Sequence, residues 1–350
     1  MGRLKKSQFV FRRNETIGAA GAEQDDEYLG DCFYDRGDLA RLKDTANPSC
    51  VVIGRTGTGK TALFKRLRTE EGHVIELDPD SLSLHYLSDS SVLRRLEVLG
   101  VNLSLFYKLL WRHVFAVELI KAKYGMRTEA ETRTRWQQFL DLFRKDRAKE
   151  RAVNYLIEWG KSFWEDTEYR VKEVTSKLES EVKASVGAKL ASVLDASASG
   201  EEKLSVEEKG EVITHAQRAV NAIQVRELTT VLKTLAEDVF NQSLPRFHVT
   251  IDRLDENWVA DPIRYRLIKA LIETSREINH QLRSVKILIA IRRDLFDRVI
   301  QETREPGFQE EKYTSSTLNL RWTKEGKRLV KHVPVFGGVE SEVQVPGVAC

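Results

Sequence analysis

Val51-Val52-Ile53-Gly54-Arg55-Thr56-Gly57-Thr58-Gly59-Lys60-Thr61 joins a short apolar run to a glycine-rich turn and then to helix-forming residues. Ser49 to Ile53, bounded by Pro48 and Gly54, has the composition of a parallel strand buried on both faces. Gly54 to Thr61 fits the spacing G-x-x-x-x-G-K-[ST] in full. Glycine is needed there because a backbone that curls to aim its N–H groups at one point passes through positive φ, which side chains oppose. Such a curl holds a polyphosphate, and the dipole of a helix starting at Lys60 adds to the attraction. Lys60 is then placed to reach the β- and γ-phosphates and the Thr61 hydroxyl to ligand Mg²⁺, with Gly54, Arg55, Thr56, Gly57, Thr58 and Gly59 supplying backbone contacts. By chance the pattern arises in roughly one sequence of this length in a hundred. The strand before it and the helix after it make the phosphate-binding reading the stronger one.

Such a loop needs a carboxylate on a neighbouring strand to steady the metal. Phe247 to Ile251 reads as that strand, ending in Asp252-Arg253-Leu254-Asp255-Glu256. Asp252 is the candidate metal-side carboxylate, and Glu256 or Asp255 the candidate base or water-positioning group. Carboxylates this crowded repel unless a cation lies among them. A third strand, Val285 to Ile291, runs into Arg292-Arg293-Asp294. Either arginine could answer charge that develops at a γ-phosphate; either could instead cap the sheet or pair with Asp294. Arg253 and Arg264 are further candidates for an arginine finger, in cis or in trans.

Working outward, residues 1–30 pass from basic to acidic through Gly18-Ala19-Ala20-Gly21 and read as a mobile leader. A helix is expected over Tyr34 to Lys43, a second over 60–69, and a strand over His73 to Leu77. From 88 to 243 strand signals vanish. Apolar residues recur at helical spacing instead, at Phe106, Leu110, Val114 and Val117, and again at Val171, Val174, Leu178, Val182 and Val186. The stretch 168–211, rich in Lys, Glu, Ala and Ser, suits a protruding hairpin or an amphipathic helix packed on its neighbours. A helix over Pro262 to Leu282 and a strand over Thr317 to Arg321 follow, and 331–350 reads as an irregular tail. The expected fold is α/β: a parallel sheet with helices on both faces, built from 31–87 and 244–330, carrying a large all-helical insertion at 88–243.

Composition narrows the classes. The 350 residues are 41% hydrophobic and 31% charged, and 56 basic against 53 acidic residues leave a net charge of +3. That balance offers no global attraction for nucleic acid or membrane. Arg144 to Arg151 is a local basic run, but Asp146 and Glu150 within it favour a solvated helix face. Cys32, Cys50 and Cys350 are too few and too scattered for a disulfide framework or zinc site. No apolar run reaches the ~18 residues of a spanning helix, the basic N-terminus lacks a secretory core, and Lys6 stands where a myristoylation signal wants Ser or Thr. A cytoplasmic location is the default expectation. Trp111, Trp136, Trp159 and Trp164 are expected in the core, with Phe33 and Tyr34 weighed as base-stacking groups against ordinary packing.

Val51 to Thr61, Asp252 to Glu256 and Ile291-Arg292-Arg293 resemble bacterial ATPases of the additional-strand P-loop class, the STAND and KAP groups first and origin-recognition-like AAA ATPases more distantly. The wider string, including Phe106 to His113 and Gly307 to Tyr313, is similar to an uncharacterised bacterial P-loop ATPase family over about 31–330. This implies a P-loop NTPase with the Val285 strand between the phosphate-loop strand and the Asp252 strand, and Mg²⁺ with ATP as ligand or substrate. Asp252 maps onto the metal carboxylate and Glu256, then Asp255, onto the catalytic one. Many relatives place Glu directly after the metal Asp, where this chain has Arg253. The class implies a nucleotide-driven switch or motor in bacterial stress signalling or phage defence, acting on a partner protein or a second copy through the helical insertion. A DNA-handling ATPase, a kinase and a non-hydrolysing ATP-binding scaffold stay open as alternatives.

Overall fold

The computed structural model describes residues 35–79, 91–124, 176, 179–180, 182–184, 205–222, 225–241, 245–256, 261–303, 311–321, 331–332 and 342–343. The leader, Phe33 and Tyr34, the Arg144 to Arg151 run, Trp136, Trp159, Trp164 and nearly all of 168–205 lie outside them.

In chain order the elements are α1 (Asp38–Lys43), β1 (Val51–Gly54), α2 (Lys60–Glu70), β2 (Val74–Leu77), α3 (Ser91–Val98), α4 (Ser104–Tyr124), α5 (Val206–Ala222) and α6 (Val225–Thr234). A short π-helical turn, Leu235–Val239, closes that helical block. Then come β3 (Phe247–Ile251), α7 (Asp261–Gln281), β4 (Val285–Arg292), α8 (Arg293–Glu302), α9 (Glu311–Thr314) and β5 (Thr317–Leu320). In the tail, β6 (Lys331–His332) and β7 (Glu342–Val343) pair antiparallel, a short ladder within the stretch expected to be irregular.

Five strands form one parallel sheet in the order β2-β3-β4-β1-β5. β4 therefore sits between β1 and β3, the order the resemblance implies. All residues of β1 and β3 are buried, as continuous apolar runs in a parallel sheet require. Alternation sorts them into two cores. Val51, Ile53, Val249, Ile251, Ile287 and Ile289 join one with α4, α7 and α8, while Val52, Leu288 and Ala290 join another with Leu39, Leu42, Leu63, Phe64 and Leu67 of α1 and α2. Helices thus cover both faces.

Three buried polar residues, His248, Thr250 and Lys286, interrupt the second face. His248 and Lys286 are register partners on β3 and β4, and both are fully buried. Lys286 Nζ donates to the Asn47 carbonyl, and His248 Nε2 lies 3.4 Å from that of Lys43. The sheet's own basic side chains thereby meet the carbonyls of Lys43, at the end of α1, and of Asn47 beyond it, while the buried His248 Nδ1 has no hydrogen-bond partner among the described residues. Burial lowers the pKa of His248 and Lys286 from their ordinary values.

The helical block joins the larger core. On α4 the expected stripe is buried, but so are Tyr107, Leu109, Trp111, Phe115, Ala116, Leu119 and Ile120. A helix apolar nearly all round is enclosed by neighbours, not laid on a surface. α4 packs on α7: Trp111 Nε1 donates to the Leu267 carbonyl at 2.9 Å, Lys108 pairs with Glu273 at 2.6 Å, and Arg112 with Glu277 at 2.5 Å. The expected inner face of α7, Ile263, Leu267, Leu271 and Ile278, is buried. Gln217 of α5 clasps both backbone groups of Asn102, just ahead of α4. Val182 and residues of α5 and α6 complete the same core.

Candidate functional site

The register of β1 against β4 puts Gly54 beside Arg292, so the 54–61 loop leaves the sheet at the carboxyl end of the central strands. Its shape follows from its glycines. Gly57 has φ 76° and Gly59 φ 90°, both in the region L side chains avoid. Gly54 is required for a different reason: a Cβ there would lie 2.3 Å from Thr58 Oγ1. Thr58 in turn donates its hydroxyl to the Arg55 carbonyl at 2.8 Å, closing the curl. Arg55, Thr56 and Gly57 form the exposed crest.

Lys60 opens α2 and folds back over the loop, its Nζ 3.1 Å from the Arg55 carbonyl and 3.3 Å from that of Gly54. Burial lowers its pKa from the ordinary lysine value, against the raising effect of the Asp252 and Asp255 carboxylates nearby. Thr61 Oγ1 donates to Asp252 Oδ2 at 2.8 Å across 191 residues of sequence. This contact brings the glycine loop and the acidic string into one place.

After Asp252 the chain turns sharply. Arg253 takes φ 60°, rare for a non-glycine residue, and its N–H is accepted by Asp252 Oδ1 at 2.8 Å. The turn closes with Glu256 N–H donating to the Arg253 carbonyl at 3.1 Å, while Leu254 is buried as an anchor. Asp255 and Glu256 are left pointing outward, both exposed. They differ in company. Asp255 Oδ2 lies 3.2 Å from Arg292 Nη1, whereas Glu256 Oε1 has Arg253 Nε at 3.9 Å. Repulsion among the carboxylates is thus answered partly by the chain's own arginine, and crowding alone does not demand a metal.

The two adjacent arginines part company. Arg292, the last residue of β4, gives Nε and Nη2 to the two oxygens of Asp294 at 3.1 and 2.7 Å and Nη1 to Asp255. These hydrogen bonds raise its pKa further, and the same pairing holds the Asp294 carboxyl below its ordinary value. Arg293 turns the other way, to Asn319 of β5 and, at 3.8 Å, to Asp297. Of the pair, Arg292 is the one that reaches the acidic loop. Arg264 is 7% exposed and donates to the Glu256 carbonyl at 3.0 Å. That burial removes the trans form of the arginine-finger expectation for Arg264, since it cannot reach into another molecule; it braces the acidic turn from beneath. Asn319 has no local sequence signal, since its place depends on β5 lying beside β1.

The Thr61 hydroxyl and the Asp252 carboxylate are hard oxygen donors, a set that suits Mg²⁺ held through substrate oxygens and water. Among the described residues no group of three or more His, Cys, Asp or Glu converges into an all-protein metal cage. Nor, among them, is any helix long and apolar enough to cross a membrane. Comparison with protein-family models, curated proteins and solved structures finds no match.

Proposed function

We propose that the chain is a Mg²⁺-dependent P-loop ATPase acting as a nucleotide-driven switch. The observation that carries this reading is the 2.8 Å hydrogen bond from Thr61 to Asp252, which joins the phosphate-type loop to an acidic strand end. Thr61 and Asp252 are the residues that would hold the metal, which would neutralise charge on the phosphates. The backbone of the 54–61 loop, exposed at Arg55 to Gly57, and the start of α2 would surround the anion, with Lys60 leaving its two backbone carbonyls for phosphate oxygens. Glu256 is the better candidate for activating water. It is exposed and held only loosely, with Arg253 Nε 3.9 Å away, whereas Asp255 Oδ2 is already engaged by the Arg292 guanidinium at 3.2 Å.

Any change at the acidic turn would be felt by α7 through Arg264, and by the helical block through the α4–α7 contact. That is the support for a switch over a plain hydrolase, with a partner protein or a second copy as the reader of the block. Turnover tests the reaction. Glu256→Gln should lower ATP hydrolysis by about 100-fold and leave Mg-ATP binding intact. Equal turnover in Glu256→Gln and wild type contradicts the assignment of the base. Binding without turnover in either protein favours the scaffold alternative.

A further inference from the structure

Arg292 makes three hydrogen bonds, and they are unequal in kind. Its side-on edge, Nε with Nη2, meets both oxygens of Asp294 in the fork-to-fork arrangement that fixes a guanidinium plane. Its remaining corner, Nη1, meets a single oxygen of Asp255 at the longest of the three distances, 3.2 Å. Asp294 stands in the first turn of α8, directly continuous with the strand that carries Arg292. Backbone N–H groups of Asp294 and Leu295 help hold that carboxylate in its ionised form. One partner of the arginine is therefore built into a helix start, and the other hangs on the exposed turn after β3.

We propose that Asp294 is a positioning residue, holding Arg292 by one edge so that its free corner can exchange the Asp255 carboxylate for a phosphate oxygen of the bound nucleotide. The inference rests on the nucleotide reading given above. It makes Asp255 a place-holding counter-ion that competes with the ligand, and gives the two aspartates opposite effects on affinity although their charges are equal. Simple electrostatics gives another pattern, since removing either negative charge beside an anion site should tighten binding.

The experiment is calorimetric titration of ATP with Mg²⁺ into wild type, Lys60→Ala, Asp255→Asn, Asp294→Asn, Arg292→Lys and the double variant Asp294→Asn/Arg292→Lys. Asparagine keeps the helix-start hydrogen bonding of Asp294, and that residue is 68% exposed, so Asp294→Asn should fold normally. A thermal midpoint equal to that of wild type checks this. Asp255→Asn should bind about threefold tighter and Asp294→Asn about threefold weaker. Arg292→Lys, which cannot be gripped at two points, should weaken binding comparably, and the double variant should lose no more than either single one. If wild type binds, Lys60→Ala does not, and Asp294→Asn binds as well as wild type or better, this inference falls and the nucleotide reading stands. Full additivity in the double variant also overturns it. If wild type and Lys60→Ala behave alike, the nucleotide reading falls and takes this inference with it.

Discussion

Gly59 shows how much a single position can carry. At φ 90° it begins α2 and aims the first turn of that helix, and nothing lies within 4 Å of where a Cβ would stand. Alanine there would meet no neighbour, so its cost is backbone strain alone, about 1–2 kcal/mol. Gly72 gives a control, since its surroundings are equally open and its φ is not positive. Gly59→Ala should lower the unfolding midpoint in denaturant and weaken nucleotide binding, while Gly72→Ala does neither. This loop was legible in the sequence because every requirement on it is local: spacing, small residues, a lysine and a hydroxyl. The partners of the two arginines were legible only in part. Asp294 follows them directly and pairing with it was one expected alternative. The turn of Arg293 toward Asn319 depends on which strand lies beside β1, and no neighbouring residue announces that. The burial of Arg264, which removes a trans role, was not legible for a related reason, because it is decided by what α7 packs against.

Elements were read with uneven accuracy, and the reason lies in what periodicity reports. β3 falls on the expected residues, and β4 runs one residue further, to Arg292. The expected helix from Tyr34 is described from Asp38, with Gly37 at φ 88° before it. On α4 the spacing of Phe106, Leu110, Val114 and Val117 gave one buried stripe, yet the helix is enclosed almost all round. A periodic pattern identifies the face toward one neighbour and does not count the neighbours. Two kinds of contact join α4 to α7, and magnitudes separate them. The Lys108 and Arg112 ion pairs are partly exposed and contribute at most about 1 kcal/mol each. Trp111 is 1% exposed and donates into the core at 2.9 Å. Trp111→Phe removes that bond and leaves a void, for a loss of about 1–3 kcal/mol. Arg112→Ala should cost less than about 1 kcal/mol. Chemical denaturation of the two variants checks the ordering, and a larger loss in Arg112→Ala would mean that the charges, not the core, hold this pair of helices.

Across the whole molecule, a parallel sheet followed from strands separated by helices, since parallel neighbours need crossovers. The order of the strands did not follow from the residues themselves; it came from the resemblance, and the sheet has it. His248 and Lys286 are polar residues within otherwise largely apolar strands. Their partners are the carbonyls of Lys43 and Asn47, more than two hundred residues away in sequence. This pair gives the fold a pH dependence whose sign can be worked out. Burial keeps the His248 pKa below its unfolded value, despite Glu71 Oε2 3.9 Å from Nδ1. The unfolded chain therefore takes up a proton first as pH falls below about 6.5. Stability should be level above that point and decline below it, with a slope of at most about 1.4 kcal/mol per pH unit from this group. Urea unfolding of wild type and His248→Gln between pH 8 and 5 measures it, and the variant should lack this component. Lys286 has the same sign, with a window that opens near the ordinary lysine pKa and extends downward from there.

The proposed metal-nucleotide site joins the 54–61 loop to Asp252 and stands or falls on their shared ligand. Titration of ATP, with and without Mg²⁺, into wild type, Lys60→Ala and Asp252→Asn probes it. Wild type should bind and bind more tightly with Mg²⁺; Lys60→Ala should lose at least about tenfold in affinity; Asp252→Asn should retain metal-free binding but lose the gain from Mg²⁺. Lys60→Ala binding as wild type does, with Mg²⁺ making no difference to either, would contradict it.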